Sequence, residues 1–144
     1  MDKGFTVGHR VRFHETDAAG VVYFANGLAI CHGAYEASLS AVGIDLAQFF
    51  SPAELAYPVV RATIDFWQPM RCGDALKVWL QPQRLDGSTF EVEYQIFPDR
   101  PGDERPLARA LTRHVCIQTQ ARRRHPLPPE METWLHRWGD LANK

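Results

Sequence analysis

Residues 13–28 read FHETDAAGVVYFANGL, and within this stretch the spacing of the apolar side chains changes period. On its N-terminal side Phe5, Val7, Val11 and Phe13 fall on alternate positions, with Arg10, Arg12 and His14 between them, which predicts a half-buried strand from Phe5 to Phe13. From about Asn26 onward Leu28, Cys31, Tyr35, Leu39 and Val42 recur at helical spacing and end at Gly43, a residue suited to a helix C-terminus. The change of period takes place across Ala18-Ala19-Gly20, directly after a lone carboxylate, Asp17.

Most of the remaining chain alternates. Val60, Ala62, Ile64 and Phe66 form one such run, and Leu76, Val78 and Leu80 another. Asp86-Gly87 offers the positive φ angles of a tight hairpin before Phe90, Val92, Tyr94 and Ile96 resume the period of two. A Pro- and Gly-rich loop from Pro98 to Pro106 leads into a last strand from about Leu107 to Thr119, with Ala108 and Ala110 on its small-residue face. Asp45 to Phe50 predicts a helical turn before Ser51-Pro52. Pro128-Pro129 introduces a terminal helix whose Met131, Trp134, Leu135 and Trp138 share one face. Strands joined in succession by short turns pair antiparallel, so the expected class is α+β: a sheet of about five strands packed on one long helix, with a C-terminal helix. Trp67 and Trp79 lie opposite the main apolar stripe, which leaves part of the second sheet face for another copy of the chain to cover.

A chain of 144 residues, 45% hydrophobic, fits a single domain spanning 1–144. A formal charge of -1 argues against nucleic acid or an anionic membrane as the main partner. Apolar runs fall short of the roughly 20 residues of a membrane span, and the Met-Asp-Lys-Gly start lacks a leader's apolar segment, so the expected location is cytoplasmic. Cys31, Cys72 and Cys116 are too widely spaced for a zinc site and read as reduced, packed thiols. The six histidines show no metal-ligand spacing, and no serine lies in a G-x-S-x-G elbow, so neither a metal nor a cofactor is expected.

Two readings of Asp17 stand open. As a turn residue it accepts hydrogen bonds from nearby backbone N–H groups. As a reactive group it is an ionisable carboxylate a few residues before the N-terminus of a helix, where unpaired N–H donors and the helix dipole stabilise an oxyanion.

The run ETDAAGVVYFANGL, followed by HGAYEASL and later by ATIDFWQPMRCGD, resembles the hotdog-fold acyl-CoA thioesterases of the 4-hydroxybenzoyl-CoA thioesterase class. The resemblance covers Phe5 to about Ile117 and is most specific in T-D-A-A-G-V-V-Y. It implies a helix wrapped in an antiparallel sheet, dimers that share active sites, and homotetramers. It further implies thioester hydrolysis with Asp17 as nucleophile or general base, and the backbone N–H of Phe24 at the oxyanion. A related branch, the short-chain thioesterases associated with the Tol-Pal system, has histidine where Phe24 stands. The combination of V-V-Y-F, C-H-x-A-Y-E, A-T-I-D-F and H-V-C-I is more similar to cyanobacterial 1,4-dihydroxy-2-naphthoyl-CoA thioesterases of phylloquinone synthesis.

An aromatic acyl group needs an apolar slot, for which Tyr23, Phe24 and Tyr57-Pro58-Val59 are the candidates, each with core packing as the alternative. Coenzyme A, part of the substrate, carries phosphates that Arg113 and the run Arg122, Arg123, Arg124 are placed to meet; a solvated basic edge is the alternative. Glu36 reads as a solvated or interface carboxylate. Two other functions stay open: a thioesterase for benzoyl-type or short-chain acyl-CoA, and a non-catalytic acyl-CoA-binding module.

Overall fold

The computed structural model of the chain describes residues 3–51 and 54–140. Met1, Asp2 and Pro52, on which the readings of the N-terminal start and of the break after Ser51 partly rest, lie outside the described residues, as do the last four. In chain order the elements are β1 (Phe5–Arg10), α1 (Phe24–Ala41), the single turn α2 (Leu46–Phe49), β2 (Leu55–Ala56), β3 (Val59–Phe66), β4 (Ala75–Arg84), β5 (Thr89–Pro98), β6 (Ala108–Val115), β7 (Ile117–Gln118), β8 (Arg123–Arg124) and α3 (Pro129–Trp138).

Five strands form an antiparallel sheet in the order β1-β4-β5-β6-β3. Helix α1 touches β4 and also both edge strands, β1 and β3, so the sheet must curl around it. This is the α+β hotdog arrangement that the resemblance implies. The core forms where the inward faces of β4 and β5 meet the helix: Leu76, Val78, Leu80, Phe90, Val92, Tyr94 and Ile96 lie against Ile30, Cys31, Ala34, Tyr35 and Leu39, all buried. Gly43, at φ +88, ends the helix segment as its position predicts. Pro129 starts α3, which buries Met131, Trp134 and Leu135 and ties itself to α1 through Trp134 Nε1–H donating to Ser38 Oγ at 2.9 Å.

Several local expectations change. The first strand stops at Arg10, because the Val11 N–H turns to the Asp74 carbonyl, and Phe13 enters a 3-10 turn (Phe13–Glu15) with its ring 81% exposed. On β3 the run expected to face the core is instead exposed at Val60, Ala62 and Phe66, with Ile64 half-buried. The strand is the sheet's last, has β6 as its one neighbour, and bulges at Val60. The hairpin after β4 forms, but through a longer loop in which Asp86 Oδ1 accepts the Ser88 N–H, and Gly87 keeps an ordinary φ. Trp79 is buried rather than waiting for a partner, since its Nε1–H donates to the Lys3 carbonyl at 2.9 Å. The last strand breaks at Cys116, and β7 leaves the main sheet to join β2 and β8 in a second, three-stranded one. Cys31 and Cys116 are packed as expected, whereas Cys72 sits exposed on the turn before β4.

Candidate active site

The Asp17 loop is a small hairpin. Thr16 and Val22 pair across its base, the Asp17 N–H donates to the Val21 carbonyl, and Gly20, at φ +80, donates to the Asp17 carbonyl. A side chain at such a φ is strained, so glycine closes this turn. The turn role of Asp17 occupies only one carboxylate oxygen. Its Oδ1 accepts the Ala19 N–H at 2.8 Å, the role of a turn residue, while Oδ2 has no partner among the described residues and the side chain is exposed.

Directly after the loop comes the N-terminus of α1. Its N-cap, Tyr23, supplies no side-chain cap, and the first turn contains no acidic residue. Phe24 is the first helical residue, so its N–H is among those the helix itself leaves unused. The positive end of the helix is therefore neither capped nor neutralised by its own residues. Tyr23 and Phe24 rings lie 4.8 Å apart, 46% and 55% exposed, and a Cβ on Gly27 would stand 2.7 Å from the Phe66 ring. The absent side chain at residue 27 thus lets the first turn of α1 press onto the end of β3.

Loop and helix are bound together by Glu15, which the sequence reading overlooked. Its carbonyl accepts the Tyr23 N–H and the Asn26 Nδ2–H, each at 3.0 Å. Its carboxylate accepts the Arg12 N–H at 2.8 Å and meets His9 Nε2 at 2.9 Å. Burial raises the Glu15 pKa, but the Arg12 N–H and the His9 ring outweigh it and hold the group below the ordinary value. The sequence signal was Glu15 itself, a carboxylate two residues before Asp17 and on the same loop.

Tyr57 and Pro58 are not in this place. They line a cleft of about 420 Å³ with Phe49, Phe50 and Arg122. The Tyr57 ring stacks on Phe49 at 4.7 Å, and Phe49 and Phe50 each stand 6.4 Å from Tyr35. Tyr35 lies eleven residues beyond Phe24 on α1, which at 1.5 Å per residue is about 16 Å along the axis. Val59 opens β3 at that same far end, 41% exposed. Within one chain, then, Asp17, Tyr23 and Phe24 come together and Tyr57-Pro58-Val59 do not join them. The basic candidates also divide. Arg113 pairs with Glu91 across the sheet, and Arg124 reaches Thr89 at 3.1 Å and Asp86 at 3.6 Å. Arg122, at φ +53, borders the Tyr57 cleft, and neither it nor Arg123 has a carboxylate partner among the described residues. Glu36 is exposed on α1.

Behind that cleft lies a buried polar chain. The Tyr57 carbonyl can only accept, so His114 Nδ1 carries the proton that meets it at 3.2 Å, and Nε2 accepts from the Thr112 hydroxyl at 2.9 Å. Thr112 in turn accepts from the Tyr94 hydroxyl at 3.0 Å. Burial, with a lesser push from His32, drives the His114 pKa down from 6.5 to about 4 against the opposing Tyr57 bond. Between those values the unfolded chain binds the extra proton. Stability tied to neutral His114 is therefore intact above pH 6.5 and lost as pH falls toward 4. In urea unfolding at pH 7 and pH 4.5, His114→Gln should show a shallower pH dependence than the parent; identical slopes would contradict the assignment.

Comparison with known proteins agrees with this architecture. A family model described as "Thioesterase-like superfamily" matches residues 11–135. The chain is 50% identical, over 87% of its length and 90% of the relative's, to the 1,4-dihydroxy-2-naphthoyl-CoA hydrolase of Trichodesmium erythraeum (strain IMS101). It is 52% identical, over 88% of each chain, to the 1,4-dihydroxy-2-naphthoyl-CoA hydrolase of Gloeothece citriformis (strain PCC 7424). The crystal structure of a 1,4-dihydroxy-2-naphthoyl-CoA thioesterase from Synechocystis superposes with a TM-score of 0.86 at 38% identity, covering 98% of this chain and 99% of that one. A loop carboxylate with a free oxygen, an uncapped helix end beside it and these relatives converge on one conclusion: the chain belongs to the thioesterase-like superfamily.

Proposed function

We propose that this protein is an acyl-CoA thioesterase that hydrolyses 1,4-dihydroxy-2-naphthoyl-CoA to the free acid and coenzyme A, a step of phylloquinone synthesis. The observation that carries this reading is the unpartnered Asp17 Oδ2 on a loop tied to the open N-terminus of α1. The two relatives and the Synechocystis structure, which bear that activity in their names, supply the acyl group. Asp17 either attacks the carbonyl carbon to form a mixed anhydride, later hydrolysed, or takes a proton from the water that attacks it. In both routes the acyl carbon gains oxygen, the C–S bond breaks and sulfur leaves as the thiol of coenzyme A. Negative charge on the carbonyl oxygen develops toward the Phe24 N–H and the helix dipole. No metal or other cofactor enters these steps, and coenzyme A is part of the substrate. The one domain works in the cytoplasm, a placement that three free thiols favour. No described helix is long and apolar enough to cross a membrane.

The site is completed by a second copy in a homodimer, and dimers pair into a homotetramer. Strand β3 is an exposed sheet edge carrying Val59, Val60 and Phe66, and such an edge is a template for another strand. Two copies of β3 paired antiparallel about a two-fold axis bring the partner's Val59 end beside this chain's Phe66, next to the mouth of α1. That pairing adds the Tyr57-Pro58-Val59 segment missing from the single chain, and with it Arg122 and Arg123 for the phosphates of coenzyme A.

Steady-state hydrolysis of naphthoyl, benzoyl and acetyl thioesters tests the substrate. The naphthoyl ester should lead by more than about tenfold in kcat/KM, a difference of about 1.4 kcal/mol. A flat preference, or one for the acetyl ester, would remove the assignment. Val60→Asp tests the shared site: it alters a residue already 56% exposed, so the chain should fold, yet sedimentation should report a smaller species with little activity. A monomeric, fully active parent would sink it.

A further inference from the structure

The bond between Asn26 and Glu15 is not an ordinary helix cap. An N-terminal turn is usually stabilised by side chains that accept hydrogen bonds from the free amides or bring negative charge to the dipole. Asn26, third residue of α1, does the opposite: its Nδ2–H donates backward to the Glu15 carbonyl at 3.0 Å, while its own backbone N–H goes to the Tyr23 carbonyl. The carbonyl it grips is already held by the Tyr23 N–H, and it belongs to a residue 9% exposed whose carboxylate is pinned by Arg12 and His9. The Asp17 hairpin starts at the next residue, Thr16, which pairs with Val22. One side chain therefore closes the ring between the carboxylate loop and the helix mouth, and it does so without adding charge where an oxyanion would form.

We infer that Asn26 is a positioning residue, whose side-chain amide, through the Glu15 carbonyl, fixes the Asp17 loop relative to the open N-terminus of α1. This rests on the thioesterase reading above. The geometry makes two demands at residue 26 that no carboxylate can meet together: a donor toward Glu15, and neutrality at the mouth. Asn26→Asp keeps the size, removes the donor and adds an anion at a helix N-terminus, where an anion stabilises the helix. A residue that served only the helix N-terminus would make that variant at least as good as the parent. A positioning residue separates stability from turnover.

The test measures kcat, KM and thermal unfolding of the parent, Asn26→Ala and Asn26→Asp with the thioester that the parent hydrolyses best. Misplacement of reacting groups by about 1 Å lowers turnover by about 100-fold in enzymes generally. Asn26→Ala should accordingly lose between about 10- and 100-fold in kcat with KM within about twofold. Asn26→Asp should lose more kcat than Asn26→Ala while unfolding no lower than Asn26→Ala, because both lose the Glu15 bond and only Asp gains the interaction with the helix dipole. The inference is overturned if both variants, per folded molecule, keep kcat within twofold of the parent, or if the loss falls on KM alone. A parent without activity on any thioester would instead defeat the proposed function, so the two failures are distinct.

Discussion

Asp17→Asn is expected to fold like the parent and to lose most of its turnover. Asparagine keeps an Oδ1 acceptor for the Ala19 N–H, and it is as suited as aspartate to this turn, so the loop survives. Exposed substitutions that leave local bonds intact change stability by no more than about 0.5 kcal/mol, and thermal unfolding should show no larger change. The charge does not survive. An amide neither attacks an acyl carbon as a carboxylate does nor takes a proton from water, and removal of a general base lowers kcat by about 100- to 10,000-fold. Turnover within a few fold of the parent would show that Asp17 is only the turn residue its Oδ1 bond makes it. Single turnover of the parent in heavy-oxygen water then probes the two routes: label in the Asp17 carboxylate requires an anhydride opened by water at its Asp17 carbonyl, whereas general-base attack leaves the label in the product acid alone.

The largest effect on stability is expected from Trp134→Ala. Trp134 is fully buried in α3, with its ring 5.7 Å from that of Tyr35 and 5.2 Å from that of Phe90, and its Nε1–H held by Ser38. Truncating such a side chain leaves a cavity under the C-terminal half of α1 and costs about 3 to 5 kcal/mol. In a domain of this size that lowers Tm by about 10 °C or more. Trp134→Phe retains much of the volume and loses chiefly the Ser38 bond, worth about 1 kcal/mol, so its Tm should fall far less. Because Trp134 packs beside Tyr35 and not beside the Asp17 loop, kcat well below the lowered Tm should stay close to the parent value. A Tm unchanged in Trp134→Ala would mean that α3 does not hold this end of the core.

Local pattern was enough for the elements whose burial is one-sided and continuous. The stripe through Cys31, Tyr35 and Leu39 and the alternation of Phe90, Val92, Tyr94 and Ile96 each had one face that could only go inward, and both did. Pattern failed where the partner surface was missing. Phe13 and Val60 continue an apolar period just as core residues do, yet one lies past the end of its strand and the other on a strand at the sheet's edge. Alternation marks which residues are apolar, not whether the fold places a cover over them. The same holds for Tyr57-Pro58-Val59, grouped with Phe24 as an apolar slot and separated from it by more than half the length of α1.

By itself the sequence determined the α+β class, the long helix with its glycine stop, and the carboxylate of Asp17 ahead of a helix start, because each depends on neighbours a few residues apart. Only the tertiary structure decided that Asp17 keeps one oxygen free, that Glu15 and Asn26 lock loop to helix, and that β3 is left as an open edge. Those outcomes depend on hydrogen bonds that leave the local segment and on which strand comes last in the sheet, and side-chain periodicity carries no information about either.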